Sequence, residues 1–525
     1  MLSEVKSMSL NGLDGYLIEI QTDISNGIPE FEIVGLPDTS VKEAKKRIMA
    51  AIKNSKIEFP NKKILINLAP ANVKKGGSSY DLAMAMGILL ATNKIPYIDY
   101  NELRKTIFIG ELSLDGKINK VNGILSMCME AKELGIKRII LSKENANEAA
   151  IVKELEVIPV THLNELVRYL NKEINIQRTE SLTKVYTEIS SQNKYDIDFL
   201  EVKGQEDIKR ALEITVAGGH NCLLVGSPGS GKTMMAKRIN TILPELDIEE
   251  AMEITKIHSI SGELKNDGLI LNRPFRMPHH TVTLSTIIGG GRNPRPGEVS
   301  LAHNGILFLD ELPEYNRYIL ESLREPLENK EIMINRVNGS CIFPCNFMLV
   351  ASMNPCPCGY YGDEQKECRC TPTEIHRYLN KISGPLLDRI DIQVEVKRPK
   401  YNKLNSEYNG QTSEQIRNRV NKAREIQRKR YKQWNIHSNA ELNPKAISEY
   451  CILDSKAEII LKKAFDNLKL SVRAYEKVLK VARTIADLEG KEKIEDKHIA
   501  EAIMYRSLDR TAQKFSWYRF EGGKF

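Results

Sequence analysis

Residues 222–233 read Cys-Leu-Leu-Val-Gly-Ser-Pro-Gly-Ser-Gly-Lys-Thr, an apolar run followed directly by a glycine-rich loop. The loop matches the phosphate-binding pattern GxxxxGK[ST], and the residues after it, 234–243, favour a helix. In a strand–loop–helix unit the glycine N–H groups converge on phosphate, Lys232 adds a positive charge, and the Thr233 hydroxyl can bind Mg²⁺. The segment therefore predicts that the chain binds ATP or another nucleoside triphosphate. The predicted binding residues are Gly226, Ser227, Pro228, Gly229, Ser230, Gly231, Lys232 and Thr233.

Length and composition exclude some classes of protein. The 525 residues are 41% hydrophobic and 28% charged, which suits about three globular domains at roughly 100–200 residues each. The longest apolar run, 82–91, is much shorter than the roughly 18 residues of a membrane helix, and residues 1–6 lack a signal-peptide pattern. We therefore expect a cytoplasmic protein without a membrane partner. The net charge of +7 permits a polyanionic partner but does not establish one.

The pattern of strand and helix signals divides the chain into five parts. Residues 1–171 mix strands and helices, and residues 172–199 form a polar linker. Residues 200–398 alternate strand and helix signals around the phosphate-binding loop, which is typical of an α/β nucleotide-binding core. Residues 399–510 are nearly all helical in pattern, and residues 511–525 form a weakly specified tail.

Two further strands of the predicted core end in polar residues. The strand 306–309 leads directly into Asp310 and Glu311, and the strand 347–353 leads into Asn354. Asp310 can hold Mg²⁺, and Glu311 can polarise an attacking water. Asn354 can orient that water or contact the terminal phosphate. Because these strands follow a phosphate-binding loop, we interpret them as parts of one ATP-hydrolysing site.

Two arginine-containing segments complete a known pattern. They are Gly-Pro-Leu-Leu-Asp-Arg-Ile-Asp at 384–391 and Leu-Ser-Val-Arg-Ala at 470–474. With the loop and the acidic strand they resemble an AAA+ ATPase, an α/β core with a helical lid. The resemblance implies that Arg389 is an arginine finger that acts in trans and that Arg473 is the second sensor of the lid. It also implies a homo-oligomeric ring, usually hexameric, and an adenine pocket lined by residues 202–205.

Three other segments indicate which group of AAA+ ATPases the chain resembles. They are Pro-Phe-Arg-Met-Pro-His-His-Thr at 274–281 with three glycines at 289–291, the run 296–303, and a hairpin at 331–344 whose turn is Asn338-Gly339. These segments resemble the Mg-chelatase-like AAA+ group, and the YifB/ComM family within it, over nearly the whole chain.

That resemblance implies a motor that translocates on DNA and promotes branch migration in homologous recombination and natural transformation. The hairpins would point into the channel of the ring, with Arg336 as a candidate DNA contact. A magnesium-chelatase-type motor subunit that remodels a protein partner is the alternative. His279 and His280 could be metal ligands or acid–base residues, but we favour a structural role in their loop.

The N-terminal part resembles the proteolytic domain of Lon-type proteases, an α+β fold shared with a ribosomal protein. The segment 75–81 aligns with the loop of the protease serine, and Ser79 falls at that position. The partner lysine of a Ser–Lys dyad aligns with Leu125, although Lys120 lies near it in sequence. The resemblance therefore implies a non-proteolytic domain that stabilises the ring or binds a partner.

Four of the nine cysteines form two CxC pairs, Cys356-Pro-Cys358 and Cys368-Arg-Cys370. Four thiolates can hold Zn²⁺ in a tetrahedron. CxC is a less common spacing than CxxC, so reduced free thiols remain the alternative. A zinc ion here would be structural and would brace the loop that follows Asn354.

Residues 414–432 combine an apolar stripe at helical spacing with eight basic residues against two acidic ones. The stripe consists of Ile416, Val420, Ala423 and Ile426. One interpretation is a packed helix with a solvated face; the other adds contacts to DNA phosphates.

Overall fold

The computed structural model describes residues 2–71, 75–180, 196–264, 268–291, 294–336, 339–398, 410–434 and 436–506, with the backbone alone at 336 and 339. Most of the predicted linker, at 181–195, and the whole tail, at 511–525, lie outside this part of the chain. Among the described helices, none has both the length and the apolar character needed to cross a bilayer.

The first sheet is a mixed seven-stranded sheet in the order β3-β4-β2-β1-β5-β8-β9. A short hairpin, β6–β7, follows β5. The strands are β1 (Leu2–Asn11), β2 (Asp14–Ser25), β3 (Glu30–Val34), β4 (Lys63–Ala69), β5 (Thr106–Ile109), β6 (Glu111–Leu112), β7 (Ile118–Asn119), β8 (Arg138–Ser142) and β9 (Glu156–Val160). The helices are α1 (Thr39–Asn54), α2 (Asp81–Ala91), α3 (Tyr100–Leu103), α4 (Ile124–Glu133), α5 (Ala146–Ala149) and α6 (Leu163–Leu170).

The apolar pattern explains how the first helices pack. Helix α2 is buried along its whole length because its residues are apolar on every face. Helix α1 buries only the stripe formed by Val41, Ala44, Ile48, Ala51 and Ile52, and the Asp38 carboxylate caps it by accepting from the Val41 N–H. Strand β5 ends at Ile109, because the backbone of Gly110 bonds to Ser79 and Leu82 instead of continuing the ladder.

The second sheet is wholly parallel, in the order β11-β14-β17-β10-β18. Its main strands are apolar along their length because helices cover both faces. The strands are β10 (Cys222–Val225), β11 (Phe275–Arg276), β14 (Ile306–Leu309), β17 (Met348–Met353) and β18 (Ile392–Glu395). The helices around it are α7 (Glu206–Gly218), α8 (Lys232–Arg238), α9 (Ile248–Ser261), α10 (Leu284–Ile288), α11 (Glu298–Leu301), α12 (Arg317–Ser322), α13 (Arg324–Asn329), α14 (Pro372–Leu379) and α15 (Gly384–Leu387). The helix predicted over 234–243 is α-helical only to Arg238 and continues as a 3₁₀ turn to Ile242.

Two hairpins pack side by side on this core, and the second buries Ile332, Ile334, Cys341 and Phe343 against it. The hairpins are β12 (Gly289–Gly290) with β13 (Arg295–Pro296), and β15 (Glu331–Arg336) with β16 (Gly339–Pro344). They pack so closely that a Cβ at Gly289 would lie 2.6 Å from Cδ1 of Ile334. The antiparallel arms of the second hairpin agree with the sequence prediction, whereas its turn at 337–338 lies outside the described residues.

The C-terminal region is helical and shares one hydrophobic core with one face of the parallel sheet. Its helices are α16 (Ser413–Arg430), α17 (Pro444–Tyr450), α18 (Ser455–Leu468), α19 (Val472–Leu488) and α20 (Asp496–Met504). In α16 the predicted stripe holds at Ile416, Val420 and Ala423, but Gln427 is buried where Ile426 was expected. The Gln427 amide explains this, because it donates to the Ala217 carbonyl at 3.0 Å.

Two contacts between the N-terminal part and the core are prominent among the described residues. The Gly123 N–H donates to Ser259 Oγ of α9 at 2.8 Å, and the same hydroxyl donates to the buried carboxylate of Glu148. At the second place the turn after β1 meets the β15–β16 hairpin, where a Cβ at Gly12 would lie 3.3 Å from Cβ of Cys341.

A fully buried ion pair lies inside the helical region. Arg483 donates from Nε to Asp487 Oδ1 at 3.1 Å, and both side chains have no exposed surface. Arg430 adds a second contact to Asp487 at 2.7 Å. Such a pair contributes little as a whole, but removing Arg483 takes away one of the two cations of Asp487 and the donor of the Lys491 and Glu492 carbonyls.

We expect Arg483→Met to lower the free energy of unfolding of the helical region by about 3–5 kcal/mol, the cost of breaking a buried pair. Calorimetric unfolding would measure the change. The control is Arg168→Met, which breaks the half-exposed Arg168–Glu173 pair at 3.5 Å and should cost about 1 kcal/mol or less. Equal losses in the two variants would contradict the assignment.

Candidate nucleotide-binding site

The phosphate-binding loop joins β10 to α8 in the middle of the parallel sheet. Gly229 and Gly231 have φ angles of 76° and 94°, a left-handed conformation that side chains disfavour. No atom lies within 4 Å of a Cβ position built at Gly229, so the outer face of the loop leaves room for phosphate oxygens. The conformation of the loop therefore fits the nucleotide predicted from the sequence.

Lys232 lies at the centre of the site. Its Nζ donates to the carbonyl oxygens of Gly226 at 2.7 Å and Ser227 at 3.1 Å, and to Asn354 Oδ1 at 3.1 Å. Burial lowers the pKa of Lys232, while the nearby Asp310 and Glu311 carboxylates act in the opposite direction. The structure thus brings the loop lysine and the polar residue after β17 together.

The second part of the site joins Thr233 to the acidic strand. Thr233 Oγ1 donates to Asp310 Oδ2 at 2.7 Å. A hydroxyl and a carboxylate side by side are the oxygen ligands that Mg²⁺ prefers. Glu311 follows in a left-handed backbone conformation, with φ of 53°, and its side chain is exposed.

Ser352, which the sequence analysis did not single out, holds this pair in place. Its Oγ donates to Asp310 Oδ1 and accepts the Glu311 N–H at 3.3 Å. It is a polar residue with no exposed surface in a strand that is otherwise apolar. The sequence did contain a signal for this residue: a serine in a strand that is otherwise apolar, two residues before Asn354. A buried hydroxyl needs a hydrogen-bond partner, so such a serine is expected to bond to a neighbouring polar group.

Gln205 connects the segment before α7 to the loop. Its Nε2 donates to the Ser230 carbonyl at 2.9 Å and to the Lys397 carbonyl at 3.0 Å. The segment 202–205, predicted to line the adenine pocket, therefore lies beside the phosphate-binding loop.

Arg389 and Arg473 lie elsewhere, around a cavity of about 310 Å³ that Lys477 also lines. Arg389 donates to the Pro385 carbonyl at 2.8 Å and is paired with Glu328. Arg473 is largely exposed and lies 4.0 Å from Asp388. Among the described residues neither guanidinium has a recorded contact with the phosphate-binding loop. The structure thus groups the two arginines with each other and not with Lys232.

Asp391 fixes helix α19, which carries Arg473, to the strand that follows Arg389. It pairs with Lys477 at 2.8 Å and His220 at 3.5 Å, and accepts the Asn221 N–H at 3.1 Å. Burial acts to raise the pKa of Asp391, but Lys477 and His220 outweigh it and hold that pKa well below its usual range.

The four cysteines of the CxC pairs form one cluster. Their sulfur atoms all lie within 4.8 Å of one another, and this is the one group of three or more candidate metal ligands found among the described residues. The Sγ of Cys356 lies 3.3 Å from that of Cys358 and 3.7 Å from that of Cys368.

The remaining candidates are distributed over the molecule. The His279 and His280 rings stack 4.1 Å apart, and His279 Nδ1 bonds to Thr281 Oγ1 at 2.9 Å, which agrees with a role in shaping the loop. The Arg336 side chain lies outside the described residues.

At the Lon-like site, Leu125 is fully buried, and its N–H donates to Glu148 at 2.8 Å. No ammonium group therefore occupies the position that aligns with the dyad lysine, and the candidate lysine in sequence, Lys120, is exposed.

Half of the basic residues of helix α16 are paired within the chain. Four of its basic residues make contacts within the chain: Arg419 with Glu213, Arg424 with the Val216 carbonyl, Arg428 with Asp247 and Arg430 with Asp487. Within the described residues the other four, Arg417, Lys422, Lys429 and Lys432, have no recorded side-chain hydrogen bond or ion pair. The packed-helix interpretation therefore accounts for half of the basic charge.

Comparison with known proteins identifies the class to which this sheet and site belong. Family models match three stretches: "Magnesium chelatase, subunit ChlI" at 198–404, "Subunit ChlI of Mg-chelatase" at 20–145 and "Magnesium chelatase, subunit ChlI C-terminal" at 410–506. The chain is also 27% identical to the magnesium-chelatase 38 kDa subunit of Rhodobacter capsulatus over 222 residues, 38% of this chain and 56% of that protein. The fold and the phosphate-binding loop thus define a magnesium-chelatase-like AAA+ protein.

Longer matches identify the family within this class. The chain is 42% identical to competence protein ComM of Haemophilus influenzae over 516 residues, covering 98% of this chain and 99% of that protein. It is 41% identical to YifB of Escherichia coli over 510 residues, covering 97% and 98%. The chain belongs to the ComM/YifB family. Its likeness to Lon protease 2 of Bacillus subtilis is 29% identity over 162 residues, 28% of each chain.

We expect Ser352→Ala to lower ATP turnover about 10- to 100-fold, because it removes a hydrogen bond to a charged group worth about 1.5–3 kcal/mol. Since the bond positions Asp310, the Mg²⁺ concentration needed for half-maximal turnover should also rise. The control is Ser300→Ala, another fully buried serine whose Oγ has no hydrogen-bond partner among the described residues. An unchanged Mg²⁺ dependence in Ser352→Ala would count against the positioning role.

Proposed function

We propose that the chain is a cytoplasmic, ring-forming ATPase that couples ATP hydrolysis to translocation on DNA. Its work in this proposal is branch migration during homologous recombination and natural transformation. The observation that carries the ATPase part is the meeting of Lys232 with Asn354 and of Thr233 with Asp310 at one edge of the sheet. Near full-length similarity to a competence protein supports the biological setting.

Each residue of the site has a distinct proposed role. Lys232 binds the phosphates by charge, and Thr233 and Asp310 hold Mg²⁺. Bound Mg²⁺ supplies positive charge that stabilises the charge developing on the phosphate oxygens. Glu311, exposed beside these ligands, accepts a proton from the attacking water, and Asn354 orients that water.

The positions of the two arginines support a ring. Arg389 and Arg473 share a cavity with each other, and in the part of the chain that the structure describes neither bonds to the phosphate-binding loop of its own subunit. We infer that they complete the site of a neighbouring subunit in a hexamer. There a phosphate would replace Glu328 as the partner of Arg389, since a planar guanidinium matches phosphate and carboxylate oxygens equally well.

DNA is the proposed substrate of the motor. The second of the two adjacent hairpins leaves one face exposed, with Met333 and Ile342 about half exposed, and its first arm ends at Arg336. Four basic residues of α16 have no hydrogen bond or ion pair to the side chain within the described part of the chain, and with the net charge of +7 they add positive charge that can meet phosphates.

A magnesium-chelatase-type motor that remodels a protein partner is the second candidate. The match of residues 198–404 to a magnesium chelatase subunit favours it. Against it, the chelatase subunit covers 38% of this chain, whereas the competence protein covers 98%. The two functions differ in whether DNA stimulates the ATPase.

We expect branched or single-stranded DNA to stimulate ATP turnover by the full-length chain, because the translocating state would bind DNA and hydrolyse ATP together. Glu311→Gln should keep its affinity for ATP but lose about 100-fold or more in turnover, since it removes a general base. Turnover and strand displacement would be measured with and without DNA. If the chain hydrolyses ATP at the same rate with and without DNA, the chelatase-type motor is favoured. Full turnover by Glu311→Gln would reject the role of Glu311 as the general base.

Arg389→Ala and Lys232→Ala should each abolish most turnover, but a mixture of the two should regain part of it. In a mixed ring, an intact site forms where an Arg389→Ala subunit binds ATP and its neighbour supplies Arg389. Turnover would be titrated against the mixing ratio, with Arg168→Ala as the control for loss of an exposed arginine. A mixture no more active than its components would argue that Arg389 acts within its own subunit.

A further inference from the structure

The four clustered cysteines lie in the segment that leaves the parallel sheet after Asn354. We call residues 355–370 the cysteine loop. Its four thiols are free, and the sulfur–sulfur distances of 3.3 to 3.7 Å between Cys356, Cys358 and Cys368 are longer than the disulfide bond length of about 2.05 Å. They match instead the edges of a tetrahedron, because sulfurs about 2.3 Å from a zinc ion lie about 3.8 Å apart.

The surroundings of the sulfurs also suit a metal. The Cys358 N–H points to Cys370 Sγ at 3.4 Å, and the Tyr361 N–H points to Cys356 Sγ at 3.3 Å. Backbone donors of this kind stabilise thiolates that are bound to a cation and orient them. Cys356 has no exposed surface, and the other three are only partly exposed.

The number and spacing of ligands define the kind of site. Four sulfur ligands complete a tetrahedron and leave no open position for a substrate, which is the arrangement of structural zinc sites. The 4.8 Å limit on the separations leaves space for one ion but not for the irons and sulfides of an iron–sulfur cluster.

The cysteine loop packs directly against the phosphate-binding loop. Gly359 lies so close to Pro228 that a Cβ at Gly359 would be 2.5 Å from Cδ of that proline. Asp363 is hydrogen-bonded to the Ser227 side chain, and the Arg398 guanidinium donates to the Pro228 carbonyl at 2.8 Å. Arg398 is also paired with Asp363 at 3.7 Å.

We propose that Cys356, Cys358, Cys368 and Cys370 hold one structural Zn²⁺ ion, and that this metal keeps the cysteine loop pressed against the phosphate-binding loop. The metal ties both ends of the cysteine loop to each other, so Gly359 and Asp363 stay in contact with Pro228 and Ser227. Loss of the ion frees the segment between the two CxC pairs and removes one wall of the nucleotide site. The effect of zinc on nucleotide binding rests on the proposed ATP site, whereas the binding of zinc by the four cysteines does not.

The first test measures metal in the full-length chain purified under reducing conditions. We expect one zinc per chain by elemental analysis, released when a mercurial reagent titrates the thiols. Cys358→Ser and Cys368→Ser should lose most of the zinc, whereas Cys345→Ser and Cys451→Ser, which change buried cysteines outside the cluster, should keep it. Absence of bound metal after expression and reconstitution with zinc, or equal zinc in all four variants, would overturn the site. A red, iron-containing protein would change the identity of the ion to mononuclear iron.

The second test separates the metal from its effect on nucleotide. Removal of zinc should weaken binding of a fluorescent ATP analogue about tenfold, because small displacements in a site are costly. Arg398→Met should weaken it in the same direction while the zinc content stays at one per chain, since this variant breaks the contact and leaves the ligands. Unchanged affinity after zinc removal would overturn the coupling. If the chain binds zinc and nucleotide but DNA does not stimulate its ATP turnover, the proposed DNA motor is contradicted, whereas the zinc site and its effect on nucleotide binding are still supported.

Discussion

The parallel sheet imposes the constraint on which the nucleotide site depends. Because β10, β14 and β17 run in one direction, their carboxyl ends meet at one edge, and residues from three distant parts of the sequence come within hydrogen-bond distance. The Lys232 ammonium shows this convergence. It bonds to carbonyls of its own loop and to Asn354, which lies 122 positions further along the chain. A one-residue change of register in β17 would move Asn354 away and turn Ser352 to the opposite face.

The helical region is part of the same unit as the sheet. Its apolar core is continuous with one face of the sheet, and Asp391 joins the strand after Arg389 to helix α19. The Lys477–Asp391 pair thereby ties the start of α19, where Arg473 lies, to the segment that carries Arg389.

Local patterns predicted much of the fold and most of the residues that the structure brings together at the candidate nucleotide site. The strand, glycine loop and acidic strand end each carry their signal within a few adjacent residues, so Lys232, Thr233, Asp310 and Asn354 could be named in advance. The family resemblance named Arg389 and Arg473, but their position beside Asp388 depends on how the helical region packs, which no short pattern records. Ser352, Asp363 and Arg398 were missed because their roles come from partners distant in sequence. The burial of Gln427 instead of Ile426 in α16 was missed for a similar reason, because the Gln427 amide donates a hydrogen bond to the Ala217 carbonyl of another helix.

The contact between the turn after β1 and the β15–β16 hairpin has a mechanical consequence. Gly12 has no Cβ, and a Cβ built there would lie 3.3 Å from Cβ of Cys341, so any larger residue in this turn would push against the hairpin. The N-terminal part is joined in turn to α9 of the core, where the Gly123 N–H and the Glu148 carboxylate both bond to the Ser259 hydroxyl. The hairpin and α9 are thus connected through the N-terminal part as well as through the core, so a displacement at one contact would load the other.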